Sequence, residues 1–220
     1  MCKISRLRKL RKKAWGTITL YHGTTSEALL GVIESGFTYP GGYIDKTTNG
    51  TTDYDKNGER VPSLAQDGVY LCSEDELYFY LRESTSNSSV PSDLKVIIGT
   101  AFKVQVETDA LMPDYDDLTG GYSKEWVEKA KEKLKQKGEN PEEYWRQSLN
   151  RIGQVVHAGP IPVSSIEGVM FSRNMKTDGS VSNSEVDEIF EEVGLQYDTW
   201  MSFDEVVPKI KQFYDKIKSL

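Results

Sequence analysis

Thr17-Ile18-Thr19-Leu20-Tyr21-His22-Gly23-Thr24-Thr25 decides how this chain is read. From Thr17 to Tyr21 the run alternates and is rich in β-branched residues, the pattern of a half-buried strand. The strand closes at His22, directly before a Gly-Thr turn. Thr24 and Glu27 then match a capping box, in which a hydroxyl and a carboxylate satisfy each other's orphan N–H groups at the start of a helix. Leu29, Leu30, Val32 and Ile33 give that helix one apolar face, and Gly36 supplies its stop. Strand, turn and helix thus occupy some twenty consecutive residues, and a side chain at the strand end is placed to face a cleft.

Outward from this unit, residues 38–67 are rich in Gly, Thr, Asp and Asn and lack apolar periodicity. They read as a long loop of the kind that is usually functional. Gly68-Val69-Tyr70-Leu71-Cys72 is a second strand, and Ser73 with Glu76 caps a helix carrying Leu77, Tyr78, Tyr80 and Leu81. A polar loop is expected from Ser84 to Asp93. Leu94–Ile98 and Ala101–Val106 are strand material. A helical insert spans about 120–150, restarted at Asn140-Pro141, where Asn caps and Pro fills the first turn. Arg151–His157 and Gly168–Phe171 are late strands, followed by a polar loop over 172–183 and a helix near 184–193. A last helix begins at Ser202, and Pro208 within it is expected to kink or restart it. Strands early, helices in the middle and strands again indicate an α+β fold. One domain covers 1–220, with a basic arm at 1–14 and a helical extension at 195–220.

With 220 residues, 37% apolar and 28% charged, the chain is lean in hydrophobes but long enough for one core. A chain of this length buries roughly 70% of the surface its unfolded form exposes. Cys2 and Cys72 cannot build a disulfide framework. With His22 and His157 they match no zinc spacing, so no metal is expected. The aspartates at 114, 116 and 117 lack the glycine and distal glutamate of a calcium loop and read as a solvated turn. No apolar run approaches a membrane span, and the basic start is followed by Ala14-Trp15-Gly16-Thr17 rather than a secretory core. A cytoplasmic, reduced protein is the expectation. Net charge is −7, but Lys3, Arg6, Arg8, Lys9, Arg11, Lys12 and Lys13 leave 20 bases against 34 acids elsewhere. The arm either contacts phosphate or lies on the acidic body as a short helix edged by Ile4, Leu7 and Leu10; the second situation is commoner for basic tails. The acidic body argues against broad nucleic-acid binding.

Phosphate loops, dinucleotide glycine fingerprints, nucleophile elbows and His-Glu-x-x-His are all missing from the sequence. One constellation remains. Leu20-Tyr21-His22-Gly23-Thr24, a helix, Ser35-Gly36-Phe37 and then Gly68-Val69-Tyr70-Leu71 follow in order. Late in the chain come Gln154 on a strand and Gly159-Pro160-Ile161-Pro162-Val163-Ser164-Ser165-Ile166. Taken singly, each residue also fits ordinary packing. In this order they resemble the diphtheria-toxin-like ADP-ribosyltransferase superfamily, which includes the poly-ADP-ribose polymerases and the tRNA 2′-phosphotransferases. The Ile-Pro-x-x-x-Ile tail is similar to that of bacterial and viral members. The likeness is at motif level and covers about residues 20–170.

The resemblance implies a split, strongly bent β-fold, with two small sheets framing a cleft, that clasps NAD as substrate. By the same resemblance, His22, Gly23 and Thr24 bind the nicotinamide-side ribose and carboxamide. Tyr70 stacks on nicotinamide and Tyr80, with Tyr78 as rival, forms the other wall. Gln154 takes the third position, where the family often has glutamate. A glutamine keeps the hydrogen bond but carries no charge to stabilise the ribose cation as nicotinamide leaves. Mono-ADP-ribosyl transfer to a protein or nucleic-acid acceptor is therefore implied rather than polymer formation, with His22, Tyr70 and Gln154 as the catalytic set. Two alternatives accompany it: a non-enzymatic module that keeps the cleft for recognition, and an RNA 2′-phosphotransferase-like enzyme using arginines among Arg60, Arg82, Arg151 and Arg173.

Overall fold

The computed structural model describes residues 16–38, 68–114, 132, 133, 136 and 144–220. The basic arm, the loop at 39–67, Arg60, Asp116, Asp117, the start of the expected helical insert and its Asn140-Pro141 cap lie outside them. The fold is mixed α+β. In chain order the described elements are β1 (Thr17–Thr25), α1 (Ser26–Ser35), β2 (Phe37–Thr38), β3 (Gly68–Cys72), α2 (Leu77–Asn87), β4 (Val96–Glu107) and β5 (Leu111–Pro113). They continue with α3 (Tyr144–Ile152), β6 (Gln154–Ala158), β7 (Ile161–Pro162), β8 (Ile166–Thr177), α4 (Asn183–Glu192) and α5 (Phe203–Ser219). Instead of two small sheets, the strands form one six-stranded antiparallel sheet, ordered β5-β6-β3-β1-β4-β8, and a two-stranded β2-β7 ribbon.

That sheet is nevertheless two halves joined at one point. β1 pairs with β4 along its whole length, and β3 pairs with β6 along its whole length. Between β1 and β3 the ladder holds the single pair Tyr21↔Cys72. Strand alternation sorts the side chains by face. Leu20, Phe102, Val104, Val69, Leu71 and Val155 point into the main core, which α1, α4 and α5 close. Tyr21, Cys72, Ala101 and Met170 point the other way, toward Leu77 and Leu81 of α2.

Several elements run further than their sequence patterns suggest, for identifiable reasons. β1 continues past His22 to Thr25 because β4 goes on pairing with it, as far as Thr25↔Gly99. The helix therefore begins one residue later than the Thr24–Glu27 box implies. Thr25 is its N-cap, and its hydroxyl accepts from the Ala28 N–H at 3.4 Å. Ser73 does not cap α2. Its N–H donates to the Gly153 carbonyl at 2.8 Å, which ties it to β6, and the helix starts only at Leu77. The expected polar loop from Ser84 is helix as far as Asn87. The Thr85 and Ser88 hydroxyls donate to the carbonyls four residues back, at 2.8 and 2.7 Å, so polar side chains are accommodated on the helix. The two strands expected over 94–106 are one, with a register shift between Ile98 and Thr100. β8 runs through the expected loop to Thr177, because Met175, Lys176 and Thr177 pair with Ile98, Ile97 and Val96. Asp114, expected in a solvated turn, is buried, and its N–H donates to the Ser148 hydroxyl at 3.1 Å.

The C-terminal segment is structural rather than appended. Met201 exchanges backbone hydrogen bonds with Val169 at 2.8 and 2.9 Å, covering the outer edge of β8. α5 is continuous through Pro208 and buries Val206, Ile210, Phe213, Tyr214 and Ile217. Where β4 runs beyond the end of β1, side chains take over the ladder's work. Tyr214 donates to the Val96 carbonyl at 3.1 Å. The Ser26 hydroxyl accepts from the Ile98 N–H at 2.9 Å and donates to Tyr214 at 2.5 Å. Burial pushes the Tyr214 hydroxyl well above the ordinary tyrosine range, so it stays a donor. Tyr214→Phe removes that donor and leaves a buried carbonyl unpaired. The expected cost is about 1–3 kcal/mol of stability in urea unfolding, with helical circular dichroism retained; unchanged stability would mean that this relay does not hold α5 to β4.

Candidate functional site

The sequence-predicted residues flank the opening between β1 and β3, on both faces of the sheet. His22 lies just past the one ladder pair. It is half-buried, and its Nδ1 bonds the Tyr70 carbonyl across the opening at 2.8 Å. A carbonyl only accepts, so Nδ1 carries the hydrogen. Desolvation lowers the pKa of His22 and outweighs the opposing pull of that bond. The ring is therefore neutral near pH 7, and Nε2 is an acceptor. Its ring sits beside Phe102, its cross-strand partner, with centroids 6.0 Å apart. His22 and Thr24 share the core-side face of β1, and the Thr24 carbonyl accepts from the Ser84 hydroxyl of α2 at 3.0 Å.

The remaining candidates belong to the opposite face. Tyr70 lies two residues before Cys72 on the same strand face, and Cys72 is paired with Gln154, so all three point to the side of α2. Tyr80, from α2, donates its hydroxyl to Gln154 Oε1 at 2.5 Å. The Gln154 carbonyl accepts from Ser148 of α3 at 2.8 Å. Its backbone and its side chain are thus both held, and the amide NH2 is left to donate. Tyr80 approaches because Gly23 lies beneath it. A Cβ on Gly23 would stand 2.9 Å from Tyr80 Cβ and 3.0 Å from the Tyr80 carbonyl carbon. The bare backbone at Gly23 admits helix α2. Gly99 of β4 serves the same helix, since a Cβ there would meet Thr85 Oγ1 at 2.8 Å.

Around Gln154 stand residues the sequence patterns did not single out for chemistry. Gly153 has φ +68, a left-handed conformation that suits glycine, and the space a Cβ would take is filled by Glu76 Cγ. Tyr21, whose hydroxyl bonds Glu74, is pushed above the usual tyrosine pKa by burial and then by the Glu74 charge. Its ring lies 5.5 Å from Trp200. Cys72 is a free, buried thiol raised to about 12 by desolvation and then by Glu76. It is protonated at neutral pH and unsuited to nucleophilic work.

The other candidates lie elsewhere. His157, also on β6, lines a separate cavity of about 700 Å³ with Thr17, Gln105, Ile161, Ser164 and Glu167, at the far end of β1 from Thr25. Arg173 lies over the Tyr197 ring at 4.9 Å, and Arg82 lies over exposed Phe79 at 5.9 Å. Tyr78, the rival to Tyr80, is exposed. Among the described residues no group of histidine, cysteine, aspartate and glutamate is placed to hold a metal, and no helix is long and apolar enough to cross a membrane. Comparison with protein-family models, with curated proteins and with solved structures finds no match to this chain.

The neutral, Nδ1-protonated His22 has a measurable consequence. Its pKa is lower folded than unfolded, so the unfolded chain takes up the proton first. Its contribution to stability is present above about pH 6.5 and is lost as pH falls through the lower folded value. Nitrogen-15 NMR of the ring should show Nδ1 protonated and Nε2 bare near pH 7, with a midpoint below that of free histidine. A midpoint raised above it would contradict the assigned environment.

Proposed function

We propose that the chain transfers ADP-ribose from NAD to an acceptor, with nicotinamide taken at the opening between β1 and β3. The observation that carries this reading is the Tyr80–Gln154 hydrogen bond. It joins two residues 74 positions apart, both assigned by the resemblance, on the face that Tyr70 also shares. The single-pair junction of the two sheet halves also supports the split and bent NAD-clasping arrangement that the resemblance implies.

The chemistry asked of the site is limited. The C1′–N bond of NAD breaks with its electron pair moving to the pyridinium nitrogen, so neutral nicotinamide departs from a cation-like ribose. Tyr70 and Tyr80 would grip the ring, and the bond to Gln154 would keep Tyr80 from turning. The Gln154 NH2 would donate to a ribose or carboxamide oxygen on that face, while His22, on the other face, would hold the Tyr70 strand in place through its bond to the Tyr70 carbonyl. Positioning of this kind lowers the barrier by pre-paid orientation. The acceptor is a protein or nucleic-acid nucleophile, or water.

A second reading has one observation in its favour. Gln154 carries no charge, and its Oε1 is already taken by Tyr80, which suits a module that binds NAD without cleaving it. The phosphotransferase reading has less support, because Arg82 and Arg173 are engaged with Phe79 and Tyr197 rather than with the His22 group.

Nicotinamide release from NAD separates enzyme from module, and titration of NAD tests the site common to both. Tyr70→Ala should weaken NAD by about 1–2 kcal/mol, roughly 5- to 30-fold, through loss of a ring stack. Unchanged affinity in a folded Tyr70→Ala protein would remove Tyr70 from the site.

A further inference from the structure

The cavity of about 700 Å³ at the far end of β1 takes no part in the NAD-transfer reading, and its composition sets what it can hold. Val106, Ile161 and Ile166, all buried in the core, give it an apolar floor. Glu107, Asp109 and Glu167 line it as well, and all three are exposed. None of the described residues that line it is a lysine or an arginine. Lys103 lies outside the lining and touches it only through a long 3.9 Å contact with Glu167. Carboxylates without a balancing cation repel phosphate and attract positive charge. An apolar floor beneath them suits lysine and arginine, whose stems are apolar and whose heads are charged, together with aliphatic side chains.

The chain itself carries a segment of this chemistry. Residues 3–13, which lie outside the described residues, hold Lys3, Arg6, Arg8, Lys9, Arg11, Lys12 and Lys13 with no acid among them, interleaved with Ile4, Leu7 and Leu10. The described chain begins at the cavity. The Gly16 carbonyl accepts from the Thr108 N–H at 3.1 Å, and Thr17 is paired with Glu107 and lines the cavity. Lys13 stands three residues before Gly16, so chain connectivity alone keeps it within about 11 Å of that point. A tether this short gives a high effective concentration, so ion pairs that are individually weak on an open surface act together. We infer that the cavity is the docking site of the chain's own basic arm, residues 3–13. The lysines and arginines meet Glu107, Asp109 and Glu167, and the Ile and Leu side chains cover the floor of Val106, Ile161 and Ile166. Seated there, the arm's positive charge is neutralised within the chain rather than by a phosphate-bearing partner. The inference is independent of the NAD-transfer reading.

The chain supplies its own probe position. Cys2 adjoins the arm and Cys72 is a buried thiol, so a thiol-reactive nitroxide goes to Cys2 in the full-length protein. Amide NMR of the labelled protein should show paramagnetic broadening at Ser164, Ser165 and Glu167, which line the cavity and are remote from Cys2 in sequence. Combining Glu107→Gln, Asp109→Asn and Glu167→Gln should abolish that broadening. All three side chains are exposed, so the fold should be kept, as the unchanged amide spectrum of α5 would verify. Salt at 1 M, where charges are screened beyond about 3 Å, should weaken the broadening. Glu188→Gln combined with Glu191→Gln, which neutralises exposed acids of α4 instead, should leave it as in wild type. Broadening that is absent from the cavity or spread evenly over the surface overturns the inference. An equal loss in the α4 variant does so too, since the arm would then follow net charge alone. Mixing nitroxide-labelled protein with unlabelled nitrogen-15 protein should leave the cavity amides of the latter sharp. Broadening there would place the arm on a second copy and overturn docking within one chain.

Discussion

A β-ladder that stops after one pair sets the terms for the rest of this molecule. Tyr21↔Cys72 is the single point at which the β5-β6-β3 half meets the β1-β4-β8 half. Strand edges left unpaired inside a protein must find partners, because buried peptide groups without hydrogen bonds are costly. Here the His22 ring supplies one across the opening, through its bond to the Tyr70 carbonyl. The histidine is thus part of the structure that holds the opening at its width as well as a polar group presented to it. Its neutrality follows from the same burial.

Helix α2 covers the face of the sheet beside that opening. It lies close to the sheet because Gly23, Gly99 and Ala101 offer almost no side-chain bulk beneath it. The close approach lets a residue on α2 reach β6, so Tyr80 meets Gln154. The turn before the helix is clamped by Ser73 to Gly153, which brings Glu76 over the same strand end. Far from this region, the Ser26–Tyr214 relay and the Met201–Val169 pairing anchor the C-terminal segment to the sheet's other half. The frame around the opening therefore depends on the last quarter of the chain.

Much of this was legible from the order of residues, and the failures have physical causes. β1, β3, α1 and the start of α5 at Ser202 follow from local alternation and capping chemistry, the Ser202 hydroxyl accepting from the Glu205 N–H as such a cap does. The Ser182–Glu185 capping box of α4 went unread. The errors came where a distant partner overrode local pattern. β4 drew β1 on to Thr25 and β8 on to Thr177, and Gly153 took the Ser73 N–H from its expected capping role. Within the site, the shared face of Tyr70 and Gln154 follows from strand register, which no single stretch encodes. The missing side chain at Gly23 is used by Tyr80, a packing contact no local pattern encodes. Glu76 was read only as part of a helix cap, since its place beside Gln154 depends on the left-handed turn at Gly153.

A crystal structure of the protein soaked with nicotinamide tests the central claim most directly. The account requires the ring at the β1–β3 opening, between Tyr70 and Tyr80, with the Tyr80–Gln154 bond retained. Nicotinamide seated instead in the cavity beside His157 and Thr17, or a ring plane unrelated to Tyr70, would contradict it.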